Sequence, residues 1–172
     1  MLHLKPEAAE RHTLSLVVDN ESGILARIAG LFSSRGYNIE SLTVADISED
    51  LSLSRITIVT SGSPHVMEQI ISQLDRLVPV HKVADLTAEG PHVERELALV
   101  KVAGTGDHRI EAMRLAEIYR ARVLDATTGS FVFELTGSTQ KINTFIDLMR
   151  EVGLVEVART GVVAISRGRE AI

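Results

Sequence analysis

The feature that most constrains this chain is that it repeats itself. Gly62 falls on Gly137, Ser63 on Ser138, Ile70 on Phe145, Leu74 on Met149 and Val80 on Val155, all at a constant offset of 75 residues. A chain of 172 residues that duplicates in this way is two small modules. A lone module of about 75 residues buries only ~60% of its unfolded surface and is marginal by itself, so such modules are expected to pair.

Within the first module, Leu14, Leu16 and Val18 alternate as one face of a strand, and Ile24, Leu25, Ile28, Leu31 and Phe32 then recur at helical spacing. Gly36 ends that helix. Tyr37 to Ala45 reads as a second strand, Asp46 to Asp50 as a turn and Ser54 to Thr60 as a third strand. Ser63 as N-cap and Pro64 in the first turn open a second helix with the stripe Met67, Ile70, Ile71, Leu74 and Val78, followed by a strand from Val80 to Leu86. The order then returns: strand Glu96 to Ala103, helix Asp107 to Ala121, strands Arg122 to Thr127 and Ser130 to Thr136, helix Ser138 to Val152, and a last strand Leu154 to Ile165. In the first of these helices Ile110, Met113, Leu115, Ala116, Ile118 and Tyr119 are expected to face inward or partly so. The polar join from Thr87 to His92 reads as a linker, which predicts domains at 12–87 and 93–168.

The fold class is therefore α+β, two ferredoxin-like βαββαβ units, each a four-stranded antiparallel sheet with both helices on one face. The opposite face or edge is expected to meet another sheet, in this chain or in a second copy, so a homodimer or higher homo-oligomer is the default.

Composition narrows the chemistry. With no cysteine there are no disulfides, thiolate metal sites or cysteine nucleophiles, which suits a reducing, cytoplasmic setting. A net charge of −5 with 3% aromatic residues gives neither a basic footprint nor stacking platforms, so nucleic acid is not an expected partner. No stretch approaches 18 consecutive apolar residues, so no membrane span is expected. His3, His12, His65, His81, His92 and His108 share no metal-ligand spacing and read as surface or linker histidines. Gly104-Thr105-Gly106 lacks the third glycine of a dinucleotide loop, and Glu49-Asp50 and Glu94 with Glu96 read as solvated acids rather than acid/base pairs. No catalytic constellation can be assembled.

The informative segment is Asp19-Asn20-Glu21-Ser22-Gly23-Ile24-Leu25, between the first strand and first helix. Two readings of it stand side by side. Asn20 or Ser22 could simply cap the helix. Alternatively, free amides at the positive end of the helix dipole could take a small carboxylate, with Gly23 admitting it close to the backbone. Asn20 would then hold an ammonium group through its oxygen, and Ile24 and Leu25 would line an aliphatic pocket. That describes an amino-acid site.

Three stretches carry a specific resemblance: Asn20 to Gly23 continuing through Gly30-Leu31-Phe32-Ser33 and Arg35 to Val44; His92 to Val102; and Ala158 to Gly168. In these the first unit resembles an ACT domain, and residues 12–168 are similar to the small, regulatory subunits of acetolactate synthase (acetohydroxyacid synthase). The resemblance implies a chain without a catalytic site or cofactor of its own. It implies a large catalytic partner subunit holding thiamine diphosphate, Mg²⁺ and FAD, whose activity the small subunit raises and makes sensitive to a branched-chain amino acid, usually valine. It also implies an effector site between ACT units of two chains, with Asn20, Glu21, Ser22, Gly23, Ile24 and Leu25 on one side and Asn38 on the other. The second unit has Gly104-Thr105-Gly106-Asp107 at the corresponding turn and is expected to serve interaction and dimerisation. The alternatives are a free-standing amino-acid sensor acting on another partner or on transcription, and a small ferredoxin-like enzyme such as a phosphate hydrolase.

Overall fold

A computed structural model describes residues 9–172, so His3 lies outside the described residues. Two compact units are present: one made of residues up to Val93 together with Val163–Ile172, the other Glu94–Val162.

In the first unit, β1 (Glu10–Asp19), α1 (Ile24–Ser34), β2 (Ser41–Asp46), β3 (Leu53–Gly62), α2 (Pro64–Asp75) and β4 (Val80–Asp85) follow in order. The antiparallel strands lie in the order β2-β3-β1-β4. Leu14, Leu16 and Val18 of β1 meet Ile28, Phe32, Met67, Ile70 and Leu74 of the helices in one core. The second unit repeats this plan with β5 (His92–Ala103), α4 (Gly106–Tyr119), β6 (Arg122–Ala126), β7 (Ser130–Gly137), α5 (Thr139–Glu151) and β8 (Leu154–Arg159), in the sheet order β6-β7-β5-β8. Its core gathers Val100, Ala112, Ala116, Phe133, Phe145 and Met149. Both sheets are thus the split-βαβ arrangement of the ferredoxin-like class.

The duplication extends to detail. Ser63 and Ser138 each cap their helix, accepting from Val66 N and Lys141 N. The glycines before them, Gly62 and Gly137, lie against the first turn of those helices, where a Cβ would meet the Val66 and Lys141 side chains. The bulged pairing of Leu14–Asp85 through Val18–Val80 recurs as Ala98–Arg159 through Val102–Leu154. Leu154, not Val155, is therefore the counterpart of Val80: the sequence offset slips by one after α5, and Val155 points to solvent.

Several expectations need correction. Helix α2 stops at Asp75, which leaves Val78 beyond it and 94% exposed. On α4 the buried stripe is Ala112 and Ala116, with Met113, Leu115 and Tyr119 packed beside it, while Ile110 and Ile118 face outward. The join is not a loose linker throughout. Leu86–Glu89 forms a short helix, α3, whose Thr87 and Ala88 amides donate to Asp85 Oδ1, and β5 already begins at His92. The last strand does not run on from Leu154 to Ile165. Gly161, at φ +83, breaks it, and the chain resumes as β9 (Val163–Ser166) in the first unit. By its contacts the segment from Val163 onward groups with the first compact unit.

His12 is not a surface residue. It is buried on the helix side of the first sheet, with Nδ1 at 2.7 Å from Asp85 Oδ2. Glu96 is not solvated either: it sits buried with both oxygens on Arg159, Nε at 2.6 Å and Nη2 at 2.7 Å.

Candidate effector site

The loop that joins β1 to α1 is anchored at its base on two sides. Asp19 N donates to Pro79 O and Asn20 N to Ser52 O, both at 2.8 Å, while Asn20 Nδ2 donates to Leu51 O at 2.9 Å. The Asn20 amide is thereby oriented. Its nitrogen ties the loop to the β2–β3 turn, and its Oδ1 is left to accept. His81 Nε2 lies 2.6 Å from Asp19 Oδ1, which adds a link from β4 to the same base.

The β2–β3 turn is a part of this site that the sequence reading missed. Leu51 holds a left-handed φ of +57 without being glycine, a conformation that costs about 1–2 kcal/mol and persists only where neighbours fix it. Here Ser52 donates its N (3.1 Å) and Oγ (2.7 Å) to Asp50 Oδ1, and Leu53 N donates to Ser48 Oγ at 2.9 Å. Hydrogen bonds from the Ser52 and Ser48 hydroxyls, which favour the ionised form, hold the Asp50 carboxyl down at about 2. Because that value is depressed, the Asp50 contribution to the turn is complete above the ordinary value of 3.8 and is lost as pH falls toward 2. The Ser52 amide resonance is expected to titrate with a midpoint near 2, and Asp50→Asn to remove the inflection. An inflection near 4 would show that the turn does not hold the carboxylate.

Gly23 then begins α1 as its N-cap, with φ 90 and ψ −6. Neither Asn20 nor Ser22 caps the helix, since no side chain accepts from its first amides. The capping reading of this segment fails, although Ser63 and Ser138 cap the second helix of each unit. Among the described residues, nothing beyond its two chain neighbours lies within 4 Å of where a Gly23 Cβ would stand, and Glu21, Ser22 and Gly23 are exposed. The first turn of α1 therefore presents N–H groups and the positive end of its dipole to an open surface. Glu21 Oε1 stands 3.2 Å from Arg27 Nη1, an exposed pair worth little in stability.

Ile24 turns into the core and is 6% exposed, whereas Leu25 faces outward at 43%. Of the two, only Leu25 presents its side chain to solvent. Asn38 lies past the far end of α1, its carbonyl accepting from Thr60 Oγ1 at 2.6 Å. An 11-residue helix spans about 16 Å, so within one chain Asn38 does not meet the Asn20–Leu25 loop.

The matching turn of the second unit is built differently. Gly104 N donates to Gly129 O at 3.0 Å, Thr105 N-caps α4 with no side-chain hydrogen bond, and Arg109 stacks 3.8 Å over the Phe131 ring. Among the described residues no cluster of His, Asp or Glu is suited to hold a metal ion, and no helix is long and apolar enough to cross a membrane.

Comparison with known proteins bears on both units. The family model described as an AHAS small subunit-like ACT domain matches residues 14–82, and that described as the small subunit of acetolactate synthase matches residues 95–168. A probable acetolactate synthase small subunit of Archaeoglobus fulgidus is 48% identical over 160 residues, covering 93% of this chain and 99% of that protein. The acetolactate synthase isozyme 3 small subunit of Escherichia coli is 49% identical over 159 residues, covering 92% and 96%. The crystal structure of the small subunit from Thermotoga maritima superimposes with a TM-score of 0.84 at 38% identity, covering 94% of this chain and 99% of that one.

Proposed function

Because this chain belongs to the family of acetolactate synthase small subunits, we propose that it is a regulatory subunit that raises the activity of a large catalytic subunit and makes it sensitive to valine. The observation that carries the effector reading is the α1 N-terminus, opened through Gly23 in a left-handed conformation and capped by no side chain. A valine carboxylate accepts from the first-turn amides, and its ammonium meets Asn20 Oδ1 near the Glu21 carboxylate. Leu25 supplies an apolar wall for the isopropyl group. Thiamine diphosphate, Mg²⁺ and FAD belong to the catalytic subunit in this reading, and the small subunit holds none of the reacting atoms.

The energetics are adequate. Eight heavy atoms set a ceiling of about 12 kcal/mol, while millimolar to micromolar binding needs roughly 4 to 8. Feedback requires that valine favour one arrangement of the assembly by about 1–3 kcal/mol. A site shared by two copies provides such a link. The Asn38 that closes the site comes from a second copy, because the chain's own Asn38 stands at the other end of α1. Edge strand β2, with Val44 and the neighbouring Ile47 exposed, offers an apolar border for that copy.

The test is reconstitution with a thiamine-dependent large subunit and titration of valine, leucine and isoleucine. Activation followed by inhibition with valine supports the reading. An unaffected catalytic subunit, or DNA retention by the chain without any enzyme effect, overturns it in favour of a sensor acting elsewhere. Asn20→Ala should weaken valine binding about tenfold, near 1.4 kcal/mol, because it removes both Oδ1 and the tie to Leu51. Calorimetry checks this, and unchanged affinity removes Asn20 from the site.

A further inference from the structure

The face of the first sheet turned away from α1 and α2 carries Thr13, Ser15 and Val17 of β1, Thr57 and Val59 of β3 and Ala84 of β4, all buried. Part of the cover is the segment Val163–Ile172. Ala164 of β9 packs with Ala84 and Leu86, Ile172 lies against the same cluster, and Arg167 N donates to Pro91 O at 3.0 Å. The last residues are gripped by two cations: Lys82 Nζ donates to Ala171 O and Arg55 Nη2 to Ile172 O, each at 3.2 Å.

Those two cations are neighbours in register. Arg55 on β3 and Lys82 on β4 both pair with Val17 of β1, so the three residues stand abreast across the sheet. Two residues further along β1, Asp19 pairs with Leu53, and there the chain leaves the sheet for the Asn20 loop. Ser52, which accepts from Asn20 N, directly precedes Leu53.

We propose that Val163–Ile172 is a strap that orders the effector loop, and that Arg55 and Lys82 are positioning residues for that site. Held across β3, β1 and β4, the strap limits splaying of the sheet at the end where Asp19 and Ser52 fix the loop base. An amino acid binding to a loop already in place loses less conformational freedom than one that must order it. The proposal rests on the effector reading for its consequence in affinity, but its structural premise is measured separately.

Hydrogen exchange on the whole protein decides it, comparing the native chain with Arg55→Gln/Lys82→Gln and, as a gentler second variant, with removal of Glu170–Ile172. Exchange of the Asp19, Asn20 and Leu53 amides is expected to rise at least about fivefold in both variants, with the α4 and α5 amides unchanged. Valine affinity measured on the same samples is expected to fall about threefold to tenfold. Unchanged exchange at these amides in both variants overturns the strap. A native chain that takes up no valine overturns the effector reading instead and leaves the exchange result to decide the strap alone.

Discussion

Gly23→Asp is expected to raise the dissociation constant for valine by at least about a hundredfold, about 2.7 kcal/mol, while activation of the catalytic subunit persists. The reasoning separates folding from binding at one position. Gly23 sits at φ +90, where an L residue is strained, but among the described residues nothing beyond its chain neighbours lies within 4 Å of the added Cβ. Aspartate is among the residues that tolerate left-handed backbone best, and its charge at a helix N-terminus is favourable to the helix itself. The variant should fold. What it cannot do is leave the first-turn amides to the ligand, because its own carboxylate lies in front of them and repels the incoming one. Gly23→Asn provides the control, with the same shape and no charge, and is expected to lose less affinity. Calorimetry on both variants, with circular dichroism to confirm folding, gives the answer. Equal affinity in Gly23→Asp and the native chain would place valine elsewhere.

How far this site could be read from the sequence depends on range. The order of strands and helices, the serine cap at Ser63 and the glycine that opens α1 are local patterns that the structure bears out, although β2 spans Ser41–Asp46 rather than starting at Tyr37 and Ser138 caps α5 rather than starting it. Interactions between residues far apart in sequence were invisible. Asn20 looks like a capping residue until its amide is seen on Leu51, 31 positions away. His12 looks like a surface histidine because Asp85 is 73 positions distant, and Glu96 looks solvated because Arg159 is 63 away. On α4, Ala116, Met113, Leu115 and Tyr119 lie inward or partly so as their spacing suggests, and only Ile110 and Ile118 depart from it, for a different reason. The buried stripe is completed by Ala112, a small residue that hydrophobic spacing does not favour over Ile110 and Ile118.

The two hidden pairs occupy the same corner of their units, and this leads to the second large effect. His12 stands two residues before Leu14, which pairs with Asp85, and Glu96 stands two before Ala98, which pairs with Arg159. Each pair joins β1 to β4 or β5 to β8, with the carboxylate on the later strand in the first unit and on the earlier strand in the second. In the second unit Arg159 also donates from Nη1 to Asn143 Oδ1 on α5 at 2.9 Å, which joins the sheet to a helix. The hydrogen-bonded Glu96 carboxylate raises the Arg159 guanidinium above its ordinary range, so the Arg159 contribution is complete from acid through neutral pH and fades only in strong alkali. Removing one partner of a fully buried pair costs about 3–5 kcal/mol, because the other is left charged and unpaired. Arg159 is 35% exposed in its side chain and Glu96 only 4%, so water reaches one partner and the expectation falls to about 2–4 kcal/mol. For a unit of this size Arg159→Met should lower the unfolding midpoint by about 10 °C or more. Glu96→Leu/Arg159→Met, which leaves no buried charge, should recover much of that loss despite missing the pair altogether. Calorimetric melting of both variants tests the reasoning: a double variant no more stable than the single one would mean that Arg159 contributes through its packing and its bond to α5, and that the buried charge is not what the pair exists to satisfy.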